Sequence, residues 1–111
     1  MLSTAAAGAP AAHRSSASHL SVTQVEYHFE LSQTVVKAGP VDLSEIDAGK
    51  QEHDLRLRSL SSGGATIYGK RLRPKTRWSG VVYLRPGVYK LWCSLPEHEK
   101  LGMHTTLRVI R

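Results

Sequence analysis

The sequence has very little cysteine and no long apolar run, and these two absences exclude whole classes of protein. Cys93 is the single cysteine among 111 residues, so the chain cannot form an intramolecular disulfide. No stretch approaches the ~20 apolar residues that cross a bilayer, so we do not expect an integral membrane protein. A free thiol in an exported protein needs a reason to exist, which makes Cys93 the first candidate for a functional group.

The first twenty residues lack both marks of a complete signal peptide, a basic start and an apolar run of about 7–15 residues. They are rich in Ala and Ser and show no periodicity. Two interpretations stay open: the end of an export signal whose start lies upstream, or a flexible tail or linker. We expect disorder over residues 1–20 in either case, followed by one folded domain over residues 21–111.

Acidic residues are also scarce, because 9 Asp and Glu against 15 Lys and Arg give a net charge of +6. A basic cluster is usually a solvated surface, but this one also fits docking to an acidic partner or an anionic membrane surface. We expect no nucleic-acid binding, because no nucleic-acid-binding motif is present and the cluster itself has no aromatic residue. The basic cluster consists of Lys70, Arg71, Arg73, Lys75 and Arg77.

Short stretches of alternating apolar and polar residues predict strands. The stretch 88–93 has strongly strand-forming residues on both faces, Tyr89, Leu91 and Cys93 on one and Val88, Lys90 and Trp92 on the other, and is expected at the centre of a sheet. Gly and Pro turns separate the stretches, no helical stripe exceeds two turns, and there are no internal repeats. The pattern therefore predicts an all-β sandwich or barrel. The other predicted strands cover 25–31, 41–46, 53–58, 78–84 and 105–110.

One stretch near the end of the sequence carries the candidate chemistry. Cys93, His98 and Met103 follow the spacing C-x4-H-x4-M. A thiolate, an imidazole and a thioether are three of the four groups that make a blue-copper site. A second imidazole must come from elsewhere in the chain, because so short a loop does not easily wrap all four ligands.

His53 is the best candidate for the second imidazole. It begins a predicted strand on the same face as Leu55 and Leu57, where a histidine costs free energy unless it is paired or ligated. Considered alone, a histidine at this position is more often a hydrogen-bonded core residue. Because the chain also contains an unexplained thiol, we interpret His53 as a metal ligand. The other four histidines are weaker candidates. His13 and His19 fall in the predicted tail, His28 lies on a polar strand face, and His104 is expected at the surface or beside the ligands.

These residues resemble a known family. The pattern Gly87-x-Tyr89-x-x-x-Cys93, then Pro96-x-His98 and Gly102-Met103, is similar to the cupredoxins, the type 1 blue copper proteins that include plastocyanin and azurin. The segment from Asp47 to Leu55 looks like the turn-then-histidine segment of that family. The loop spacing is closest to the rusticyanin and sulfocyanin type, and the resemblance covers residues 21–111.

The resemblance implies a Greek-key β-sandwich of seven or eight strands that holds one copper ion, cycling between Cu+ and Cu2+, near one end. It implies imidazole ligands His53 and His98, the thiolate Cys93 and an axial thioether from Met103. It further implies a monomeric electron carrier, not an enzyme, in an extracytoplasmic setting that is periplasmic, secreted or at a membrane surface. A redox partner protein would dock near His98, where Leu95, Pro96 and Leu101 are expected to frame the ring edge.

Two positions depart from the family pattern. Asp54 stands where azurins and plastocyanins usually have Asn, and a carboxylate cannot donate as an amide does. We expect it to accept a hydrogen bond from Ser94 or from a backbone N–H instead. Glu97 stands where the family usually has Gly, and with Glu99 it brings negative charge to the edge of the site.

Three other functions are compatible with parts of the pattern. A copper-binding module for copper carriage, delivery or sensing would use the same ligands without shuttling electrons. A thiol enzyme would use Cys93 with His98 as its base, but nothing would then orient the histidine or explain Met103. A metal-free β-sandwich with a buried thiol is the third alternative. It would not explain why two histidines, a cysteine and a methionine occur together in this pattern.

Overall fold

Strands dominate the computed structural model, which describes residues 18–111. The described part has nine strands and one short helix, which confirms the predicted all-β class; two of the strands have only two and three residues. The elements are β1 (Ser18–Val25), β2 (His28–Leu31), β3 (Val35–Lys37), β4 (Gly39–Asp47), β5 (Arg56–Ser59), β6 (Ile67–Tyr68), β7 (Arg77–Leu84), β8 (Gly87–Trp92), α1 (His98–Leu101) and β9 (His104–Ile110).

The strands form two sheets, one of five strands in the order β3-β9-β8-β5-β6 and one of four in the order β2-β1-β4-β7. Two pairs are parallel, β3 with β9 and β1 with β4, and the other pairs are antiparallel. The chain crosses between the sheets at five connections, which join β2 to β3, β3 to β4, β4 to β5, β6 to β7 and β7 to β8. Such crossovers are typical of Greek-key sandwiches. β8 lies inside its sheet, which confirms the central position predicted for it.

The core lies between the sheets and follows the alternation of the strands. Inward-facing positions of β1 and β4 meet those of β8 and β9, while the residues between them face outward. Burial of these side chains is the main term that stabilises the sandwich. The best-buried aliphatic members are Leu20, Val22, Val41, Leu43, Leu55, Leu57, Leu91 and Leu107.

The first part of the described chain differs from the sequence-based prediction in two ways. β1 begins at Ser18, so His19 is a strand residue and not part of a tail; Ser18 to Leu20 pair with β4 and bury Leu20. The single strand predicted over 25–31 is instead a hairpin, in which residues 26 and 27 form the turn between β1 and β2. Residues 1–17 of the predicted tail lie outside the described residues.

One end of the sandwich gathers three connecting segments. These segments all lie at the same ends of the strands in the two sheets. They are the turn after β1, the segment 48–55 between β4 and β5, and the segment 93–103 between β8 and β9. Hydrogen bonds join these segments to one another, for example from the Lys50 N–H to the Glu26 Oε1 at 2.8 Å. The predicted ligands all lie on the second and third of these segments.

Candidate metal centre

Cys93 is fixed by the sheet. It directly follows β8, it is fully buried, and its backbone N–H donates to the Met103 carbonyl at 3.1 Å. This bond extends the pairing of β8 with β9 by one step. It also closes the base of the loop that carries the other candidate ligands.

His53 is fixed by a separate pair of backbone hydrogen bonds. Its N–H donates to the Leu72 carbonyl at 3.2 Å, and its carbonyl accepts from the Leu72 N–H at 2.8 Å. The side chain is completely buried. His53 therefore reaches the end of the sandwich from the segment before β5, independently of the Cys93 loop.

The loop after Cys93 turns back through α1. Glu97 precedes the helix in the left-handed region with φ 70°, and Gly102 ends it with φ 134°. The Met103 N–H donates to the His98 carbonyl at 3.0 Å. These bonds place His98 and Met103 on the inner side of the loop, where His98 is only 9% exposed and Met103 is fully buried.

The structure brings three of the four predicted ligands into one buried group. The ligand atoms of His53, Cys93 and His98 lie within 4.8 Å of one another. The two histidine Nδ1 atoms are 3.1 Å apart, and the Cys93 Sγ lies 3.6 Å from the His98 Nδ1. Met103 comes from the same loop and shares the burial, so all four predicted side chains lie at this end of the sandwich.

The electrostatics of this group favour a bound cation. Burial raises the pKa of the Cys93 thiol to about 11, and burial together with the neighbouring His53 ring lowers the pKa of His98. Only one proton can lie between two Nδ1 atoms 3.1 Å apart. A cation bonded to all three groups would remove these costs, since metal ligation deprotonates a thiol and uses neutral imidazole. The donor set therefore fits a soft or borderline metal ion.

Asp54 ties the His53 segment to the Cys93 loop. Its backbone N–H donates to the Cys93 Sγ at 3.4 Å, and its Oδ1 accepts from the Ser94 N–H at 2.6 Å. The Ser94 hydroxyl donates to Oδ2. Asp54 thus accepts from Ser94, as its residue type predicted, and it connects the two segments that carry the candidate ligands.

The sequence analysis missed Glu26 and Tyr27. The Glu26 Oε2 lies 2.6 Å from the His53 Nε2, and the Tyr27 ring packs edge-to-face on His98 with centroids 5.2 Å apart. Both residues lie in the turn after β1, which has no Gly or Pro to mark it. Since Tyr27 is in phase with the alternation around it, the sequence carries no signal that could have found the turn.

Hydrogen bonds keep the Glu26 carboxylate ionised. Burial acts to raise the pKa of Glu26, but bonds from the Lys50 N–H, the His53 ring and the Gln51 N–H outweigh it and lower the pKa to about 2. The Glu26 side chain is 21% exposed. An anionic group therefore lies against one of the candidate ligands at ordinary pH.

The surface around His98 is only partly as expected. The ring does not project from the protein, because the Tyr27 ring packs on it and leaves 9% exposed. Pro96 and Leu101 are exposed beside it, Leu101 by 55%, and Leu95 is half-buried. A small apolar patch, formed by Leu95, Pro96 and Leu101, thus lies outside the metal centre.

The remaining predicted residues lie at the surface. His19, His28 and His104 are exposed and take no part in the buried group, while His13 lies outside the described residues. The basic cluster is fully exposed and runs beside the site, since Leu72 within it pairs with His53.

Comparisons with solved structures identify the fold. A reduced auracyanin from Roseiflexus castenholzii matches with a TM-score of 0.62 and 12% identity, over 86% of this chain and 97% of that one. Auracyanin B matches with a TM-score of 0.65 and 17% identity, over 86% and 88%. Rusticyanin from Thiobacillus ferrooxidans matches with a TM-score of 0.68 and 15% identity, over 84% and 77%. No protein-family model and no curated protein matches the sequence. The described chain has the cupredoxin fold.

Proposed function

We propose that this protein is a type 1 copper protein that acts as a small single-domain electron carrier. In this proposal His53, His98 and Cys93 bind one copper ion in a near-trigonal plane, and Met103 supplies the weak axial thioether. The observation that carries the proposal is the buried group of one sulfur and two imidazole nitrogens within 4.8 Å, at one end of a cupredoxin fold.

The donor set favours copper over other metals. A thiolate with two imidazoles and a thioether suits an ion that changes between Cu+ and Cu2+, whereas a structural zinc site uses four strong ligands. When bound, copper would supply a one-electron redox couple. The protein's part is to hold the ligands in one arrangement for both oxidation states.

The described chain has the means to hold that arrangement. Cys93 and Met103 are joined by a backbone hydrogen bond, His53 is held by two bonds to Leu72, and Asp54 bonds the two segments together. The proposed ligands are therefore held by hydrogen bonds of the fold and not by the metal alone. Little rearrangement on electron transfer is the expected consequence.

The burial of Cys93 argues against a thiol enzyme. A nucleophilic cysteine needs access and a lowered pKa, while this thiol is fully buried and its pKa is raised to about 11. The same burial argues against rapid metal exchange, which a copper-delivery or copper-sensing module would need. Electron carriage is therefore the function that the site supports best.

Two surfaces are proposed for the partners of this monomer. The apolar patch of Leu95, Pro96 and Leu101 belongs to the loop that carries His98. A redox partner docked there would approach the proposed copper position by the shortest path through the protein. The basic cluster borders the same end and would attract an acidic partner or an anionic membrane surface. Within the cluster, the Arg71 Nε lies 2.7 Å from the Glu52 Oε1 and the Lys75 Nζ donates to the Ala48 carbonyl at 2.7 Å, so Lys70, Arg73 and Arg77 are the proposed contacts for such a partner.

Our proposal includes an extracytoplasmic location, because the resemblance of this chain to the cupredoxins implies it. No helix among the described residues is long and apolar enough to cross a membrane.

The visible spectrum tests the proposal directly. The full chain is reduced, loaded with Cu2+ and scanned; intense thiolate-to-copper absorption is the expected result. Cys93→Ser should abolish that absorption, and the matched control His104→Gln should keep it, because His104 is exposed and outside the group. A wild-type protein that binds Cu2+ with only weak absorption would refute the type 1 assignment.

A further inference from the structure

The turn between β1 and β2 sends one carboxylate to the metal centre. The Glu26 Oε2 lies 2.6 Å from the His53 Nε2, on the side of the ring opposite to the metal group. The other ring nitrogen, Nδ1, faces the His98 Nδ1 at 3.1 Å. The His53 imidazole therefore bridges the carboxylate and the proposed metal position.

The carboxylate lies in a pocket shaped for it. The Lys50 N–H donates to Oε1 at 2.8 Å and to Oε2 at 3.0 Å, and the Gln51 N–H donates to Oε2 at 3.2 Å. A Cβ at Gly49 would lie 2.1 Å from Oε2, so any other residue there would displace the carboxylate from this position. These contacts come from the segment that leads into His53, which fixes Glu26 relative to the ring.

We propose that Glu26 is a positioning residue for His53, which fixes the ring with its proton on Nε2 and shifts the metal centre toward Cu2+. The proposal rests on the proposed function. An ionised carboxylate only accepts hydrogen bonds, so the proton on Nε2 is held and the Nδ1 lone pair is presented to the metal group. A nearby negative charge stabilises a divalent ion more than a monovalent one.

Other charges near His53 do not provide the same contact. Asp54 uses both carboxylate oxygens on Ser94, and Glu52 pairs with Arg71 at 2.7 Å. Among the described residues, Glu26 is the carboxylate hydrogen-bonded to a proposed ligand ring. Its removal would take away this contact together with the hydrogen bonds from the Lys50 and Gln51 N–H groups, so a variant that keeps an accepting oxygen is needed to isolate the charge.

Two variants separate charge from orientation. Glu26→Gln keeps an oxygen that can accept from Nε2 but removes the negative charge, while Glu26→Leu removes both. Glu30→Gln is the matched control, because Glu30 lies 3.3 Å from the exposed His28 and carries the same charge away from the site. All are measured as the full chain loaded with copper.

The expected result is a change in the relative affinity for the two oxidation states. Glu26→Gln should weaken Cu2+ relative to Cu+ by about tenfold, which raises the one-electron reduction potential by about 59 mV. Glu26→Leu should also reduce Cu2+ affinity, by roughly 10- to 100-fold. A Glu26→Gln protein with the potential of Glu30→Gln would overturn the charge effect.

A measurement without copper keeps the proposal testable if a variant fails to fold. Nitrogen and proton NMR of the His53 ring in the metal-free wild type, at mildly alkaline pH, should show the proton on Nε2. A proton on Nδ1 would overturn the proposal. If the wild type gives no intense copper absorption, the proposed function fails; the ring measurement then still decides whether Glu26 positions His53.

Discussion

Replacing Glu97 by glycine should stabilise the protein. Glu97 has φ 70° and ψ −15°, a left-handed conformation that costs a residue with a Cβ roughly 1–2 kcal/mol. Its exposed side chain makes no capping hydrogen bond to α1 that would offset this cost. The backbone at this position therefore favours glycine over glutamate.

The gain is reduced by the greater freedom of glycine in the unfolded chain, worth about 0.4–1 kcal/mol. The net increase expected for Glu97→Gly is therefore about 1 kcal/mol in the free energy of unfolding. For a domain of this size, that corresponds to a rise in Tm of about 4–8 °C.

Urea unfolding and thermal unfolding of the metal-free protein measure this difference. Glu97→Ala is the matched control: it removes the charge but keeps the Cβ, so it should give little of the gain. The reasoning would be refuted by a Glu97→Gly protein no more stable than Glu97→Ala. In that case the left-handed conformation would not be what limits the stability of the loop.

Two further predictions concern the carboxylates around the site. Burial raises the pKa of Glu45 from 4.5 to about 7, so the unfolded chain loses this proton first. The contribution of Glu45 to the free energy of unfolding should therefore fall by roughly 3 kcal/mol as pH rises from 4.5 to about 7. Urea unfolding across that range should show the fall in the wild type and a flatter profile in Glu45→Gln; equal slopes would contradict it. Asp54→Ala should cost about 1–3 kcal/mol in urea unfolding because the Ser94 N–H loses its acceptor, whereas Asp54→Asn keeps an accepting oxygen and should cost less. Equal losses in these two variants would show that the Ser94 bond is not the cause.

The parts of the fold that could be predicted are those where side-chain pattern and geometry coincide. Alternation marked the strands that bury Leu43, Leu91 and Leu107, because each has one face in the core. The ligand loop could be predicted from spacing, since Cys93, His98 and Met103 lie on one short connection. His53 required a chemical argument, namely that a histidine on an apolar face needs a partner.

The rest of the site depends on contacts that sequence does not encode locally. The turn at Glu26 and Tyr27 is held by bonds to Lys50 and Gln51, more than twenty residues away along the chain. Alternation continues across the turn, so the pattern predicts one strand where the structure has two. β1 was likewise predicted to start too late, because Ser18 and His19 are held by pairing with β4 and not by their own composition.

The charges of this protein fall into two groups that act over different distances. The net charge is +6 and the basic cluster is exposed, yet the Glu26 carboxylate contacts the His53 ring and the Asp54 carboxylate is bonded to Ser94, the neighbour of Cys93. Exposed charges are screened over about 10 Å at moderate salt, whereas partly buried ones are screened much less. The basic surface should therefore govern the approach of partners in a salt-dependent way. In the proposed copper site the Glu26 carboxylate should shift the balance between Cu2+ and Cu+ with little dependence on salt, so partner choice and redox balance can be altered separately by substitution.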